Sequence, residues 1–385
     1  MKIVRIVIIF LTFISCNKTN RGSNAEEYFL KVTGTISLPV GMRALVHTDA
    51  LFPFQDQNRP YLGFLNKGEN EILIYSLDSL ILTKKITLQK EGDQGVGNVK
   101  GFMIFSPDSI YITSRMQRII YIVNGEGEVI KKTPYKKTVS GEDIEMAFYS
   151  RSDINTPLIR RGSKVYLTNY LIGNYTTRTS ADLAKHPLCL ELDINTGESK
   201  FLPMTYMADY WKDGNYHEPS YARIFNGKEF VYSWRYYDKL LVTKDHVSVT
   251  EYPLKSRYFK SFGKKPTRDD IVSSVRDLLA SPAYFNIVWD LYRKVYYVFS
   301  YAGNNDVSND QNPMDSWSYI TPFSVIILNE DFSIIGETLM PQNRYYIENF
   351  FVGEKGLYLS KAHPKNPTYS DDSLAFDILS IAANK

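Results

Sequence analysis

The chain has 385 residues, 44% of them hydrophobic and 23% charged, the composition of a folded soluble protein long enough for two or three ordinary domains or one large repeat-built domain. Its formal net charge is +3, and removing Lys2 and Arg5 with a segment expected to be cleaved leaves +1. With acids and bases interspersed, there is no broad basic field and no nucleic-acid partner is expected. The 29 tyrosines and 21 phenylalanines favour strands over helices.

Residues 1–16 read as a lipoprotein signal peptide. A short basic start leads into an apolar run from Ile6 to Ile14, too short to span a bilayer, and Ser15 stands directly before Cys16. This resembles the lipobox of bacterial lipoproteins, with Phe13 where leucine is commonest. The resemblance implies acylation of Cys16 and a lipid membrane as partner. The other reading is an ordinary cleaved signal peptide. Residues 17–27 are then a polar tether. The tether lacks an acidic cluster just after the cysteine, so the periplasmic face of the cell envelope is favoured over the cell surface.

Residues 28–385 read as one domain. Tyr28–Leu38 is a strand with no neighbour to pair with, followed by irregular Pro39–Pro60. A first repeat unit covers Tyr61–Leu88. The second, Gly101–Tyr135, is the clearest: Phe102–Phe105, Ser109–Thr113, Ile119–Val123 and Val129–Lys132 are separated by turn residues. Four further units begin near Pro157, Tyr221, Tyr284 and Tyr346, each opening with a hairpin whose second strand carries Tyr or Phe. Units of roughly 40 to 60 residues fit propeller blades. The expectation is an all-β, six-bladed β-propeller whose N-terminal strand closes the last blade. A two-domain β-sandwich offers no comparable account of the repeat.

One segment breaks the strand pattern. Thr267 suits an N-cap, Asp269 and Asp270 suit a first turn, and Pro282 stops the run. Ile271, Val275, Leu278 and Leu279 form one apolar face, predicting an inserted amphipathic helix.

Catalytic motifs are not apparent. The glycines of Gly92–Gly97 precede a strand rather than a helix, so they mark an inter-unit turn and not a dinucleotide cradle. The five histidines lack metal-ligand spacing, and neither a metal nor a cofactor is expected. Cys189, between Leu188 and Leu190, reads as a small core residue.

Two long loops carry the candidate chemistry. Met204–Tyr221 gathers Tyr206, Tyr210 and Trp211 with Asp209, Asp213, His217 and Glu218. Aromatic faces beside carboxylates can stack on sugar rings and accept hydroxyl hydrogen bonds; the same rings can instead plug the end of the fold. Tyr301–Pro322 contains Trp317 together with Asp306, Asp310, Asn312 and Asp315, but without the glycine and glutamate of a calcium loop it reads as a solvated insertion.

The signal segment with Cys16, the six units, and the run Glu91-Gly92-Asp93-Gln94-Gly95-Val96-Gly97 leading into Gly101-Phe102 resemble a family of Bacteroidetes lipoproteins of unknown function. They also resemble TolB-like and NHL-like propellers. The resemblance covers nearly all of the chain after the signal segment and implies a six-bladed propeller, but its motifs are turns and glycines, so it brings no catalytic residues. Two functions follow. One is a non-enzymatic binding or scaffold propeller for a glycan, peptide or envelope protein, with Tyr206, Asp209, Tyr210, Trp211, Asp213, His217, Glu218 and Trp317 as candidate ligand contacts. The alternative is a hydrolase or lyase acting on carbohydrate, its acid and base among Asp209, Asp213, His217 and Glu218. The lack of a nucleophile or metal motif favours binding.

Overall fold

The computed structural model describes residues 27–41, 46–48, 50–114, 117–144, 155–171, 178–211, 218–262, 271–304 and 320–384. Strand-forming sequence dominates, and the strands assemble in chain order. Four antiparallel sheets of four strands come first. They are β2 (Leu51–Asp56), β3 (Arg59–Asn66), β4 (Glu71–Ser76) and β5 (Leu82–Thr87); β6 (Val99–Ser106), β7 (Ser109–Ser114), β8 (Ile119–Val123) and β9 (Val129–Pro134); β10 (Ile159–Arg161), β11 (Lys164–Thr168), β12 (Cys189–Asp193) and β13 (Ser199–Phe201); and β14 (Tyr221–Phe225), β15 (Phe230–Trp234), β16 (Lys239–Thr243) and β17 (Val249–Pro253).

The remaining strands form one sheet of eight. Its first half is β18 (Ala283–Asp290), β19 (Val295–Tyr301), β20 (Phe323–Leu328) and β21 (Ile334–Leu339). Its second half is β22 (Phe350–Gly353), β23 (Gly356–Ser360), β24 (Ser373–Ala383) and the N-terminal β1 (Tyr28–Pro39). The two halves meet at a single register, Tyr28 against Gly336, where β1 touches β21 in parallel. Strand β1 otherwise runs antiparallel to β24 from Tyr28–Ala383 to Pro39–Ser373. The N-terminal strand thus finds its partner at the far end of the chain. The architecture is all-β and propeller-like.

Alternation along the inner strands of each sheet buries one face against the preceding unit and the other against the next, whereas outer strands such as β5 and β17 are largely exposed. Ile74 and Ile86 meet Phe102 and Ile112 between the first two sheets. Tyr111 and Ile122 meet Val165 and Leu190 between the next two. Leu240 and Val242 meet Tyr296 and Ile326 further on, and Phe299 and Val325 meet Phe350 and Leu359. The last interval is filled by Phe376 and Ile378 packed against Leu62 and Tyr75, so the final strands seal against the first.

The segment read as irregular, Pro39–Pro60, contains strand β2. Pro53 and the polar Gln55 and Asp56 mask its pattern, and proline is tolerated because β2 pairs on one side only, with β3. Helix α2 (Ile271–Ala280) is present, with Val275 and Leu279 buried beside β19 and β20, whereas its predicted cap at Thr267 lies outside the described residues. Its last carbonyls are not orphaned: Leu279 O accepts from Tyr301 Oη at 2.7 Å and from Asn304 N at 3.0 Å. A short α1 (Ser180–Leu183) starts with a capping box between Thr179 and Asp182.

Candidate functional site

The two ends of each unit differ. First-to-second and third-to-fourth strand connections are turns of two to five residues, such as 57–58, 107–108 and 329–333. Connections at the opposite end, which enter each unit or join its second and third strands, include the longest intervals between described strands: 135–158, 169–188, 202–220, 254–282 and 302–322. Candidate chemistry therefore concentrates at the loop-bearing end, where side chains are freed from the repeat.

The loop after β13 divides into two parts. Tyr206 and Trp211 are 2% exposed, and with Tyr210 they join a buried aromatic cluster that includes Tyr221, Tyr232 and Trp234. Tyr206 Oη donates to Pro219 O at 2.8 Å and Tyr210 Oη to Glu218 O at 2.6 Å, so the phenols pin the returning loop. Burial pushes both phenols well above their ordinary pKa, and they remain donors. The rings of Tyr206 and Trp211 are thus core, with no face offered to a ligand. Glu218 is held by Arg235, Nη1 to Oε2 3.0 Å, and that guanidinium lies 4.4 Å from the centre of the Phe285 ring. Asp213, His217 and Trp317, like Cys16 and the acids of 305–319, lie outside the described residues.

Asp209 and Tyr210 do reach a cavity, of about 630 Å³, at this end. Its other walls come from the β15–β16 turn (Tyr236, Tyr237, Asp238), the run Leu254–Phe262 and the start of β18 at Tyr284. The floor is aromatic. Phe259 and Phe262 lie 5.4 and 5.6 Å from the Tyr284 ring, and Tyr236 meets Phe262 edge-on at 6.2 Å. Phe259 and Phe262 are only partly buried, so each keeps open surface toward the cavity. The rim is charged, with Asp209, Asp238, Lys255 and Lys260 all exposed. Tyr237 Oη donates to Asp209 Oδ1 at 3.2 Å. Burial, reinforced by the negative charges of Asp209 and Glu251, pushes the Tyr237 phenol up to about 12, which keeps it a donor at neutral pH.

The wall carrying Lys255 to Phe262 is fastened from below. Glu337 on β21 is a buried carboxylate that accepts from Ser256 Oγ at 2.6 Å, Arg257 N at 2.7 Å and Ser324 Oγ at 2.6 Å. Tyr284 Oη donates to Leu254 O at 2.9 Å and accepts from Ser256 N at 3.2 Å. The sequence signal of this wall is the aromatic–basic interleaving of KSRYFKSF at 255–262, which has no strand or helix periodicity of its own.

Among the described residues no group of His, Cys, Asp and Glu is arranged to hold a metal ion, and no helix is long and apolar enough to cross a membrane. Cys189 is fully buried, its thiol pushed up to about 11 by burial, and Arg223 Nη1 lies 3.4 Å from its sulfur.

Fold and cavity together define an all-β protein of propeller-like architecture with a ligand-sized recess among its longest loops. Residues 34–339 match the family model described as a domain of unknown function, DUF4221, and the chain belongs to that family. A DUF4221 structure from Bacteroides vulgatus ATCC 8482 is 25% identical, covers 94% of this chain and 100% of its own, and superposes with a TM-score of 0.81. A protein of Bacteroides fragilis NCTC 9343 described as exported is 9% identical, with 92% and 96% of the two chains covered and a TM-score of 0.51, a likeness of fold alone. No curated protein matches the chain significantly.

Proposed function

We propose that this protein is a six-bladed propeller of the cell envelope, anchored through acylated Cys16, that binds a small organic ligand in the cavity lined by Tyr236, Tyr237, Phe259 and Phe262. The observation that carries the reading is the cavity itself. It is open, has an aromatic floor and a polar rim, and its volume lies within the range of about 300–1,000 Å³ usual for ligand sites. Aromatic surface of this kind takes the apolar face of a sugar ring or the side chain of a peptide. The blade count rests on the eight-stranded sheet reading as two blades bridged at Tyr28–Gly336. Anchoring rests on the sequence of residues 1–16 and on the position of β1 immediately after the tether.

A thermal-shift screen of the full-length chain in detergent, against neutral and acidic oligosaccharides and short peptides, tests the binding reading. A ligand at ~100 times its dissociation constant adds roughly 2.7 kcal/mol of stability. Tyr236→Ala and Phe262→Ala should abolish the shift; a shift untouched by both would move the site elsewhere. For the anchor, mass spectrometry of the N-terminal peptide should find acylated Cys16, and an unmodified chain would refute lipidation.

A further inference from the structure

We infer that the cavity's ligand is a short peptide carrying both a positive and a negative group around an apolar side chain. This rests on the cavity being the binding site, and its test separates the two claims. The argument starts from how charge is disposed at the rim. Neighbouring charges are already matched: Arg235 pairs with Glu218 at 3.0 Å and Lys239 with Glu251 at 2.5 Å. The four charges that line the cavity are not. Among the described residues Asp209, Asp238, Lys255 and Lys260 enter no ion pair, and Asp209 holds a single neutral donor, Tyr237 Oη.

A ligand that fills the cavity removes water from these groups, and each charge it covers without compensation costs free energy. A neutral glycan can donate hydroxyls to the two carboxylates, but it offers the ammonium groups of Lys255 and Lys260 only weak acceptors. A polyanion would satisfy the lysines and set like charge against Asp209 and Asp238. A molecule bearing both an ammonium and a carboxylate offers an opposite charge to each sign present at the rim. The floor adds the second requirement: the partly buried rings of Phe259 and Phe262, 5.4 Å apart, accept an apolar or aromatic side chain. A peptide of two to four residues has both features in one molecule.

The probe is a tripeptide of lysine, phenylalanine and glutamate with blocked ends, titrated calorimetrically into the full-length chain. The controls are its all-neutral analogue, with glutamine at both charged positions, and a neutral oligosaccharide. The charged tripeptide should bind at least about tenfold more tightly than either control, and raising salt from low to high concentration should weaken it severalfold. Asp209→Asn, which keeps an acceptor for Tyr237 Oη, and Lys260→Gln, both at exposed positions, should each weaken it about three- to tenfold, and thermal melts of the two variants should match the parent. Equal or tighter binding of a neutral control, insensitive to both variants but lost in Tyr236→Ala, would overturn the peptide inference and leave the cavity standing. Binding of no probe, or binding untouched by Tyr236→Ala, overturns both.

Discussion

Ser256 and Glu337 are 81 positions apart in sequence, yet the serine hydroxyl donates to the glutamate Oε1 at 2.6 Å. The contact fastens the cavity wall leaving β17 to the outer strand of the next unit. Glu337→Gln keeps the shape but turns one of the two acceptor oxygens, the one facing the Ser256 and Ser324 hydroxyls or the one facing the Arg257 amide, into an amide donor, and removes the charge from the other. Hydrogen bonds to a charged group are worth about 1.5–3 kcal/mol each and do not add fully, so the loss should reach about 2–4 kcal/mol in denaturant melts. Hydrogen exchange should speed up across 255–262 before it does in β14–β16. Uniform exchange in the variant would show that Glu337 does not hold this wall.

Asp377, fully buried on β24, is the corresponding anchor for the N-terminal strand. It accepts from Thr35 Oγ1 on β1 at 2.7 Å, Tyr345 Oη at 2.8 Å and Arg344 Nη2 at 2.6 Å. Burial works to raise its pKa, but the hydrogen bonds from Thr35, Arg344 and Tyr345 outweigh it and hold the carboxyl below its ordinary value. A lowered carboxylate stabilises the fold above its unfolded pKa, and that contribution is lost as pH falls through the folded one. Asp377→Asn should therefore destabilise at neutral pH by about 2–3 kcal/mol and lose less than the parent on acidification below pH 3.8. Parallel losses in both proteins would count against it.

His246 should dominate a different pH window. The ring is fully buried against Phe230, with Nε2 2.7 Å from Tyr232 Oη. Burial, followed by the positive charge of Arg223, pushes its pKa down from 6.5 to about 3. Between those values the unfolded chain binds a proton that the native protein does not, so stability falls as pH falls. The slope is at most about 1.4 kcal/mol per pH unit. His246→Asn, which suits the left-handed backbone there (φ 60°), should flatten the slope between pH 6 and pH 4 in urea melts, whatever its baseline stability. An unchanged slope would assign the acid sensitivity to other groups.

Gly336 tests the seam between the two halves of the eight-stranded sheet. A Cβ at this position would run into the carbonyl of Tyr28. Gly336→Ala should displace the start of β1, and with it the ion pair between Glu27 and Arg257, while β24 keeps its pairing beyond Val32. Limited proteolysis should then cut near residues 27–31, where the parent resists. Resistance equal to the parent would mean that the seam does not restrain β1.

Much of the fold was legible in the sequence, because strand alternation and turn chemistry are local. The run from Phe102 to Lys132 announced β6 to β9, and Leu-Leu-Val at 240–242 with Val-Thr-Glu-Tyr at 249–252 announced β16 and β17. The apolar face of Val275 and Leu279 likewise announced α2. Strand β2 stayed hidden because Pro53 and its polar neighbours break the pattern of a strand paired on one side only.

The site was legible only in part. Sequence placed Tyr206, Asp209, Tyr210 and Trp211 in one aromatic–acidic loop, but which rings stay open depends on what packs over them. Tyr206 and Trp211 are consumed by a cluster with Tyr221, Tyr232 and Trp234, while Asp209 and Tyr210 reach the cavity. The rest of that cavity comes from the 236–238 turn, the 254–262 run and Tyr284, brought together by strand pairing and by buried groups such as Glu337. Composition and periodicity by themselves determined that the chain would build repeated sheets around apolar intervals. Only the tertiary structure decided which aromatic and charged loop residues face a common space, because that choice is made by contacts between residues far apart in the chain.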